Sequence, residues 1–570
     1  MVKESIKKII IGLAAFSTIN LFGSSGGQTL SMSKNFFQPR AFSANLSREM
    51  LMEGFKHRDL DEWYGEFSAT AVYQRSWSTH NDNSGSDASS TFSTNPDVNA
   101  GFGLGAFPFW SGTNSMTVGG TNSGSASFNV DAYQFGLGLV TAPGSITLNP
   151  LIYQTGADFM FILGSEEKSS FFAKIKAPIG IYNINPQLTE VSPTLPNPAV
   201  YNTGTLSTAY NQTYNLPALT MTQAFAGNLE GGQFSSQTPQ ISGEGNFLPM
   251  KYGLIDGDQS SGVRFGDIEM TAGYRYCSED NYTVSIALRA AAPTGNKAQG
   301  IYMLEPIFGR GGNWGLGGYM DGRFTCWEGN NENHFQIRIM ADVMHLFDAH
   351  TVRSYDLIAN GVGSKYLLVA DYLVGVYQNQ IANLINYTTL ASTSSFAVEG
   401  DVAVALVYCA RNWEFDLGYE FWGRSAETLV INEDFPNQRY AVLGNQGVGI
   451  STAGGVIASN DSQPFAQINI ASQPFVISAT PNVGTAIATT QTQVVNATLA
   501  GNRIASSQLN IPAAEQEMSL TSKLFAQIAY KWTDSKYYPH LGLMSEFEFS
   551  TSQNNALPQW SIALVGGVTF

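Results

Sequence analysis

The sequence has little charge, little cysteine and little histidine for a chain of 570 residues. Charged residues make up 13% of it, about half of the share that is usual in soluble domains. Its three cysteines, Cys277, Cys326 and Cys409, give no disulfide framework, and the paired cysteines that a zinc site needs are absent. Six histidines leave few options for catalysis. A conventional cytoplasmic enzyme is therefore not expected.

Positive charge and long apolar runs are also scarce. The net charge is −16, with 29 basic and 45 acidic residues, so the basic surface of a nucleic-acid binder is absent. Beyond the N-terminus, no apolar run reaches the ~18 residues that a membrane-spanning helix needs, which excludes a helical membrane bundle. Apolar residues instead alternate with polar ones. This pattern favours a β-solenoid, a β-sandwich or a transmembrane β-barrel.

The N-terminus has the three parts of a secretory signal peptide. Three lysines precede an apolar stretch at 9–22, which is followed by small polar residues at 23–27. We therefore assign a signal peptide to residues 1–27. An uncleaved anchor is less favoured because the apolar stretch is shorter than the ~18 residues of a membrane span. Residues 28–60 then form a stretch that is either periplasmic or a plug.

The C-terminal residues alternate in the manner of a membrane-facing strand. Apolar residues or glycine occupy every second position: Trp560, Ile562, Leu564, Gly566, Val568 and Phe570. This stretch resembles the last strand of bacterial outer-membrane barrels, although a soluble edge strand remains an alternative. The resemblance implies a location in the outer membrane, contact with its lipid, and a role for Phe570 in the assembly signal that barrel-insertion machinery reads.

The same alternation recurs along the chain and predicts twelve strands. They are expected near 63–77, 151–163, 170–183, 263–277, 281–293, 313–327, 333–347, 397–411, 413–424, 518–532, 537–550 and 557–570. No fixed repeat period separates them, as a solenoid would require. We therefore predict an all-β fold, a transmembrane antiparallel up-and-down barrel of about 12 strands, with 14 as the upper limit.

Connections between these strands alternate in length, short after even-numbered strands and mostly long after odd-numbered ones. Short periplasmic turns and long extracellular loops are typical of outer-membrane barrels. The barrel accordingly spans 61–570. Its long loops are expected at about 78–150, 184–262, 348–396 and 425–517.

Charged residues within the strands fall on the face opposite the apolar residues. In 170–183, for example, Lys174 and Lys176 alternate with Ala173 and Ile175. A Lys or Arg that faces lipid at mid-membrane costs ~2–4 kcal/mol, so the charged face should point into the barrel. The pattern assigns these residues to the pore lining: Lys174, Lys176, Asp267, Glu269, Arg275, Arg289, Asp321, Arg323, Arg338, Asp342, Glu399, Asp401, Glu414, Asp416, Glu420, Arg424, Lys523, Lys531, Glu546 and Glu548.

One wall of this interior leans basic and the other acidic. Twelve strands lie between the ~8 that side chains can fill and the ~16–18 of open porins, which favours a water-filled lumen. The alternative is that these charges pair across strands and fill the barrel. Acidic residues slightly outnumber basic ones once Glu66 and Asp158 are included, which predicts mild cation selectivity.

A narrower resemblance covers one hairpin. The sequences Phe265-Gly266-Asp267, Tyr274-Arg275-Tyr276 and Pro293-Thr294-Gly295 resemble a hairpin of the outer-membrane channel family linked to aromatic-degradation pathways. The wider chain is similar to uncharacterised outer-membrane proteins of small intracellular bacteria. That second resemblance implies location rather than substrate.

Catalytic chemistry is not expected. His345, Asp348 and His350 form the nearest candidate cluster, at the outer end of the strand 333–347, and solvation of the barrel rim accounts for them better. We therefore assign no catalytic, cofactor-binding or metal-binding residues and no cofactor.

The sequence thus predicts a porin-like outer-membrane channel for passive diffusion of small hydrophilic solutes. Loops, or the segment 28–60, would narrow its pore. The alternative is a surface-exposed adhesion protein that uses the barrel only as an anchor. Nucleic acid is not an expected partner, and the sequence gives no oligomeric state.

Overall fold

A computed structural model describes most of the predicted strands together with parts of the loops. The described residues are 36–53, 63–76, 115–119, 127–128, 130–131, 144–148, 150–165, 169–191, 213–215, 220–228, 233–238, 241–278, 282–329, 333–358, 363–373, 376–442, 475–476, 504–550 and 558–570. The predicted signal peptide at 1–27 lies outside them.

Twelve long strands form the wall of a barrel. They are β1 (Trp63–Ser76), β2 (Leu151–Ser165), β3 (Ser169–Asn185), β4 (Ile268–Ser278), β5 (Tyr282–Ala292), β6 (Gly315–Glu328), β7 (His334–Ser354), β8 (Thr389–Ala410), β9 (Trp413–Arg424), β10 (Ser519–Lys531), β11 (His540–Ser550) and β12 (Gln559–Thr569).

The barrel is closed and antiparallel throughout. Each strand pairs with the next one along the chain, and β12 returns to pair with β1. At this closing seam Glu66 lies opposite Thr569, and Ser76 lies opposite Gln559. Closure gives every wall strand two neighbours and leaves no free edge. The predicted all-β barrel of twelve strands is confirmed.

Connection lengths alternate as the sequence predicts. The connections after β2 and β8 cover only 166–168 and 411–412, whereas those after β1 and β3 cover 77–150 and 186–267. The barrel therefore has one end with short turns and one end with long loops.

Two predicted strands are too short, because the sequence pattern changes phase within them. The strand β7 continues to Ser354, and the strand β8 begins already at Thr389. The predicted loop 348–396 is therefore shortened to 355–388. Register shifts occur next to Leu346 in this pair. A bulge moves the buried face from even to odd positions, and alternation read from the sequence ends there.

The predicted strand 263–277 is too long. The strand β4 begins at Ile268, and the preceding pair Arg264–Phe265 bonds separately to β3. The reason lies at Asp267, whose side chain accepts hydrogen bonds from loop backbone instead of facing a neighbouring strand.

The outer face of the barrel is apolar. Phe171, Ile286 and Leu417 are 69%, 68% and 62% exposed. The charged residues of the same strands, such as Lys174 and Glu420, are buried on the inner face. An apolar exterior on a barrel with a charged interior is the surface of a transmembrane barrel, because only lipid can cover so many exposed aromatic and aliphatic side chains.

The long connections build a second structured region, which we call the loop layer, from the described residues of 186–267, 355–388 and 425–518. Its helices are α2 (Met221–Phe225), α3 (Ile385–Thr388) and α4 (Ile511–Ala514), with 3-10 turns at Ser364–Tyr366 and Ser506–Gln508. Its strands are Leu188–Val191, Thr213–Asn215, Gln233–Thr238, Ile241–Phe247, Gln259–Ser260, Arg264–Phe265, Asp356–Leu357, Leu368–Leu373, Val376–Asn383, Glu427–Ile431, Tyr440–Val442, Phe475–Val476 and Leu509–Asn510. The connection 77–150 adds Ser115–Gly119, Ser127–Phe128, Val130–Asp131 and Gly144–Leu148.

An apolar core holds the loop layer together. Leu367, Leu384 and Ile385 are fully buried there, and Phe225 packs edge-on against Tyr366 with ring centroids 5.2 Å apart. Among the described residues, no helix is long and apolar enough to cross a membrane.

Candidate pore interior

A short stretch of chain, residues 36–53, lies inside the barrel, and we call it the N-terminal segment. It contains the helix α1 (Leu46–Met52). Asn45 caps this helix, because its side chain accepts a hydrogen bond from the backbone N–H of Arg48. All seven residues of α1 are buried.

The contacts of α1 show that it sits within the lumen. It touches β1 and each of the strands β7 to β12. Strands on opposite sides of a closed barrel can be reached at once only from inside. The sequence pattern left 28–60 open between a periplasmic segment and a plug, and the structure places its described part, 36–53, in the interior.

The acidic residues of α1 and its C-cap face the basic wall of the barrel. A carboxylate oxygen of Glu49 lies 2.5 Å from Arg289 Nη2, and the other lies 3.1 Å from Lys176 Nζ. Glu53 pairs with Lys174 and Arg338. All these side chains are buried, so the pairs are shielded from solvent.

Glu53 also reaches a third cation. Its Oε2 atom lies 3.5 Å from Arg323 Nη2. The carboxylates of Glu49, on α1, and of Glu53, its C-cap, are therefore surrounded by basic groups from β3, β5, β6 and β7.

The basic residues of the N-terminal segment face the acidic side. Arg40 forms ion pairs with Asp401, Glu420 and Glu548, the last at 3.3 Å. Arg48 Nε lies 2.5 Å from Asp158. The N-terminal segment thus carries the complement of each wall.

Neutral groups of the segment add hydrogen bonds to the acidic side. The backbone N–H of Ser47 donates to Glu420 at 2.9 Å, and its hydroxyl donates to Glu546 at 2.7 Å. Asn45 Nδ2 also donates to Glu546, at 3.0 Å. These bonds join α1 to β9 and β11 without any sheet pairing between backbones.

Some wall charges pair with each other as well. Lys523 Nζ lies 3.2 Å from both Glu420 and Glu546, and Arg289 lies 2.8 Å from Asp342. Part of the interior charge is therefore paired across strands, and the N-terminal segment pairs with another part.

The connection 293–314 between β5 and β6 also turns into the barrel, and we call it the inward loop. Its Arg310 donates to Glu399 at 2.8 Å and to Glu269 at 2.9 Å. Gly309, Gly311 and Gly312 have φ of 132°, 68° and 102° around this arginine. Residues other than glycine rarely adopt such φ angles, so the glycines permit the sharp turns that place Arg310 inside the barrel.

The inward loop contacts the N-terminal segment directly. The ring of Phe308 lies 5.2 Å from that of Phe42, measured between centroids. Gln38 Nε2 donates to the carbonyl of Gly309 at 2.9 Å, and Arg310 Nη1 lies 3.2 Å from Ser43 Oγ. The two pieces of chain fill the interior together.

The hairpin that resembles the aromatic-degradation channel family forms one bonded unit. Asp267 accepts the backbone N–H of Arg310 at 2.6 Å and lies 3.4 Å from that of Gly295. The Thr294 hydroxyl donates to the carbonyl of Gly266. These hydrogen bonds anchor the base of the inward loop to the start of β4.

The remaining residues of the predicted pore lining lie on the inner face or at its rim. Arg275 donates to the Tyr64 hydroxyl at 3.0 Å, and Arg424 donates to the Gln38 carbonyl at 2.9 Å. Asp321 lies 3.4 Å from Arg338. The others, Glu414, Asp416 and Lys531, are on inward positions of β9 and β10. Whether these residues line a conducting path stays a prediction.

Several interior residues were missed by the sequence pattern. Arg40, Arg48, Glu49 and Glu53 lie outside every alternating stretch, and Arg310 lies in a loop. A signal for Arg310 exists in the glycines around it. For the other four, the only sequence signal is a short cluster of both charge signs in a chain with few charges.

The end of the chain is tied to the start of the barrel. The backbone of Phe570 exchanges hydrogen bonds of 2.7 and 2.8 Å with Gly65, and its side chain is 58% exposed. Its ring lies over Gly65, where a larger residue would collide with it. The role of Phe570 as an assembly signal stays a prediction.

The candidate cluster of His345, Asp348 and His350 lies on β7. His345 is exposed, bonds to the Ala397 carbonyl through Nδ1 and stacks edge-on against Phe347. Among the described residues, no group of His, Cys, Asp or Glu could hold a metal ion.

Comparison with known proteins gives only remote likenesses. No protein-family model matches the chain, and no curated protein matches its sequence. An outer-membrane channel from Pseudomonas putida F1 is similar with a TM-score of 0.35 and 8% identity, over 90% of this chain and 100% of that one.

Two further channel structures are similar at the same remote level. For a FadL homologue of Pseudomonas aeruginosa the TM-score is 0.26 at 8% identity, over 90% of each chain. For the outer-membrane channel DcaP of Acinetobacter baumannii it is 0.21 at 11% identity, over 89% of this chain and 96% of that one. The expected resemblance to outer-membrane channels is found, but likenesses this remote carry no information on solute or mechanism.

Proposed function

We propose that this protein is an outer-membrane channel for passive diffusion of small hydrophilic solutes, and that the N-terminal segment closes it in the state described here. The proposal rests on what fills the lumen. A transmembrane barrel encloses a charged interior, and that interior is filled by chain that no sheet pairing holds.

A charged wall is unnecessary for a barrel that serves only as an anchor. Apolar side chains of similar volume fill an interior at least as well as buried ion pairs, because each buried charge must first lose its hydration. A charged wall is, in contrast, readily hydrated once the occupant leaves. It then lines a polar path whose opposed charges create a transverse field.

Arg40 provides the sharpest test of closure. Replacing it (Arg40→Gln) leaves Asp401, Glu420 and Glu548 close together without their shared cation. Breaking a buried ion pair by removing one partner typically costs about 3–5 kcal/mol. The closed state should therefore become less favourable relative to the open state by about that amount.

The measurement is swelling of liposomes in arabinose, together with conductance in planar bilayers. The variant should pass arabinose and show frequent open-channel currents, whereas the unmodified chain should be mostly closed. Arg411→Gln is the matched control, because Arg411 is exposed in the short turn after β8. If both variants admit sugar no faster than protein-free liposomes, the channel proposal is wrong.

A further inference from the structure

Five basic side chains converge on one part of the barrel wall. They are Lys174, Lys176, Arg289, Arg323 and Arg338, from β3, β5, β6 and β7. Arg323 has the most exposed side chain of the five, at 16%, and none of the others exceeds 6%. So many buried cations need anionic partners nearby.

Two carboxylates of the N-terminal segment are those partners. Glu49 takes Arg289 on one oxygen and Lys176 on the other. One oxygen of Glu53 pairs with Lys174, and the other pairs with both Arg323 and Arg338. All four carboxylate oxygens are therefore engaged by cations.

Acidic residues of the wall satisfy only some of these cations. Lys176 lies 2.9 Å from Glu269, Arg289 lies 2.8 Å from Asp342, and Arg338 lies 3.4 Å from Asp321. Within the described part of the chain, Lys174 and Arg323 form ion pairs only with Glu49 and Glu53. Without the segment, and within the described residues, Lys174 has no ion pair, and Arg323 has only Glu414 and Asp416, which act on it from beyond ion-pair distance.

The two carboxylates have a defined spacing. Glu49 lies on α1, and Glu53 is the C-cap residue four positions later, whose backbone N–H donates to the Glu49 carbonyl. Side chains at that separation have Cβ atoms about 5–6 Å apart on one helix face. Guanidinium groups favour planar carboxylates, which accept their N–H donors side by side. The wall thus matches two carboxylates held about one helical turn apart.

We propose that this cluster is a binding site for small dicarboxylates, which the N-terminal segment occupies with its own Glu49 and Glu53 while the channel is closed. A dicarboxylate of matching length replaces those groups on the same cations. The proposal rests on the proposed channel function for its physiological meaning. Binding itself can be measured without transport.

The test vacates the site in the full chain with Glu49→Ala and Glu53→Ala. Alanine removes both carboxylates and leaves room beside the cations even where α1 stays in place. Titration calorimetry of the detergent-solubilised protein with glutarate should show binding, with glutaramide at least tenfold weaker, because the amide has the same length and no charge. The unmodified chain should bind glutarate at least tenfold more weakly than the variant.

Two matched variants locate the binding. Adding Lys174→Gln and Arg323→Gln to the vacated chain should weaken glutarate binding at least tenfold. Adding Lys251→Gln and Lys536→Gln, which remove two exposed lysines instead, should leave it unchanged. Heat-modifiable migration in gels checks that every variant is folded.

The outcomes separate the two proposals. No heat with glutarate, equal binding of glutaramide, or indifference to Lys174→Gln and Arg323→Gln overturns the site. Inorganic phosphate binding as tightly as glutarate overturns the dicarboxylate assignment. Glutarate binding as expected in a protein that passes no arabinose in liposomes overturns the channel function and leaves the site standing.

Discussion

The barrel interior and the loop layer both bury apolar side chains, but the interior adds a denser network of ion pairs. In the interior, Arg40, Glu49 and Glu53 are held by ion pairs with the wall. In the loop layer, side chains such as Leu367 and Leu384 are buried in an apolar core.

This difference bears on which region can move. An apolar core loses its stabilisation as soon as its side chains meet water, since nothing replaces the buried area. Charged partners that separate are each hydrated by water, which repays much of the lost attraction. The N-terminal segment also buries apolar residues such as Phe42 and Leu46, and that burial is lost when it leaves. Its ion pairs are the part that water can replace, so we expect the N-terminal segment to separate before the loop layer does.

Reversing one charge in the interior should have the largest effect. Glu53→Lys places a cation among Lys174, Arg323 and Arg338, so the loss should reach at least the about 3–5 kcal/mol of a broken buried pair. We expect a persistently open channel in planar bilayers. Trypsin should also cleave at Arg48, which is 1% exposed in the closed state and becomes accessible when the segment leaves.

The neutral variant Glu53→Gln is the control for that reversal. It removes the attraction without adding repulsion, so its open probability should lie between those of the unmodified chain and Glu53→Lys. A closed, trypsin-resistant Glu53→Lys protein would contradict the assignment of α1 as the closing element.

A cavity in the loop layer should have a large effect of a different kind. Leu367→Ala empties a fully buried site and should cost about 2–5 kcal/mol of local stability. Proteases should then cut the loop layer faster, while conductance stays low. Leu373→Ala, at a position 52% exposed, is the control and should change neither property. An open channel in Leu367→Ala would mean that the two regions are not independent.

Ion selectivity tests the acidic side of the interior with a smaller expected effect. Glu414 and Asp416 lie on β9, and within the described residues neither pairs with the N-terminal segment. In the Glu53→Lys channel, reversal potentials in low salt should show mild cation preference, and Glu414→Gln with Asp416→Asn should shift it towards anions. The shift should shrink at ~1 M salt, where screening acts within ~3 Å. Unchanged potentials would place both residues off the conducting path.

The smallest expected effect is a pH dependence of the loop layer. Burial lowers the pKa of Lys365 to about 8, and the charge of Asp356 opposes this only in part. Between about pH 8 and about pH 10.5 the unfolded layer holds a proton that the folded layer has lost, so local stability should rise with pH, by at most about 3 kcal/mol.

Hydrogen exchange around 363–368 at increasing pH, corrected for its intrinsic rate, measures this rise. Lys365→Met removes the titrating group and should flatten the dependence, while channel closure is unaffected in both proteins. Equal slopes for the two proteins would show that Lys365 does not titrate in this range.

The alternative function in surface adhesion remains a prediction. The connections 78–150 and 425–517 would carry that function, and most of their residues lie outside the described ones. Parts such as Glu427–Ile431 and 504–517 are described. The single-channel comparison of closed and open variants separates it from transport, because an anchor needs no conducting state.

Strand positions and faces could be predicted from the sequence because alternation is local. Each backbone step turns the side chain to the other face, so Ile175 and Lys176 must point in opposite directions in any strand. Predictions failed where one residue breaks that rule. The register shifts beside Leu346 change the phase, and Asp267 leaves the ladder for the backbone of the inward loop.

The sequence by itself therefore determined the barrel, its twelve strands and the opposed charges of its inner wall. Only the tertiary structure decided what those charges meet. Lys174 and Glu53 are 121 positions apart, and Arg40 and Glu420 are 380 apart. Charge attracts any opposite charge within reach, so a list of acidic and basic residues permits many pairings. The folded chain selects one of them by placing the N-terminal segment among the strands.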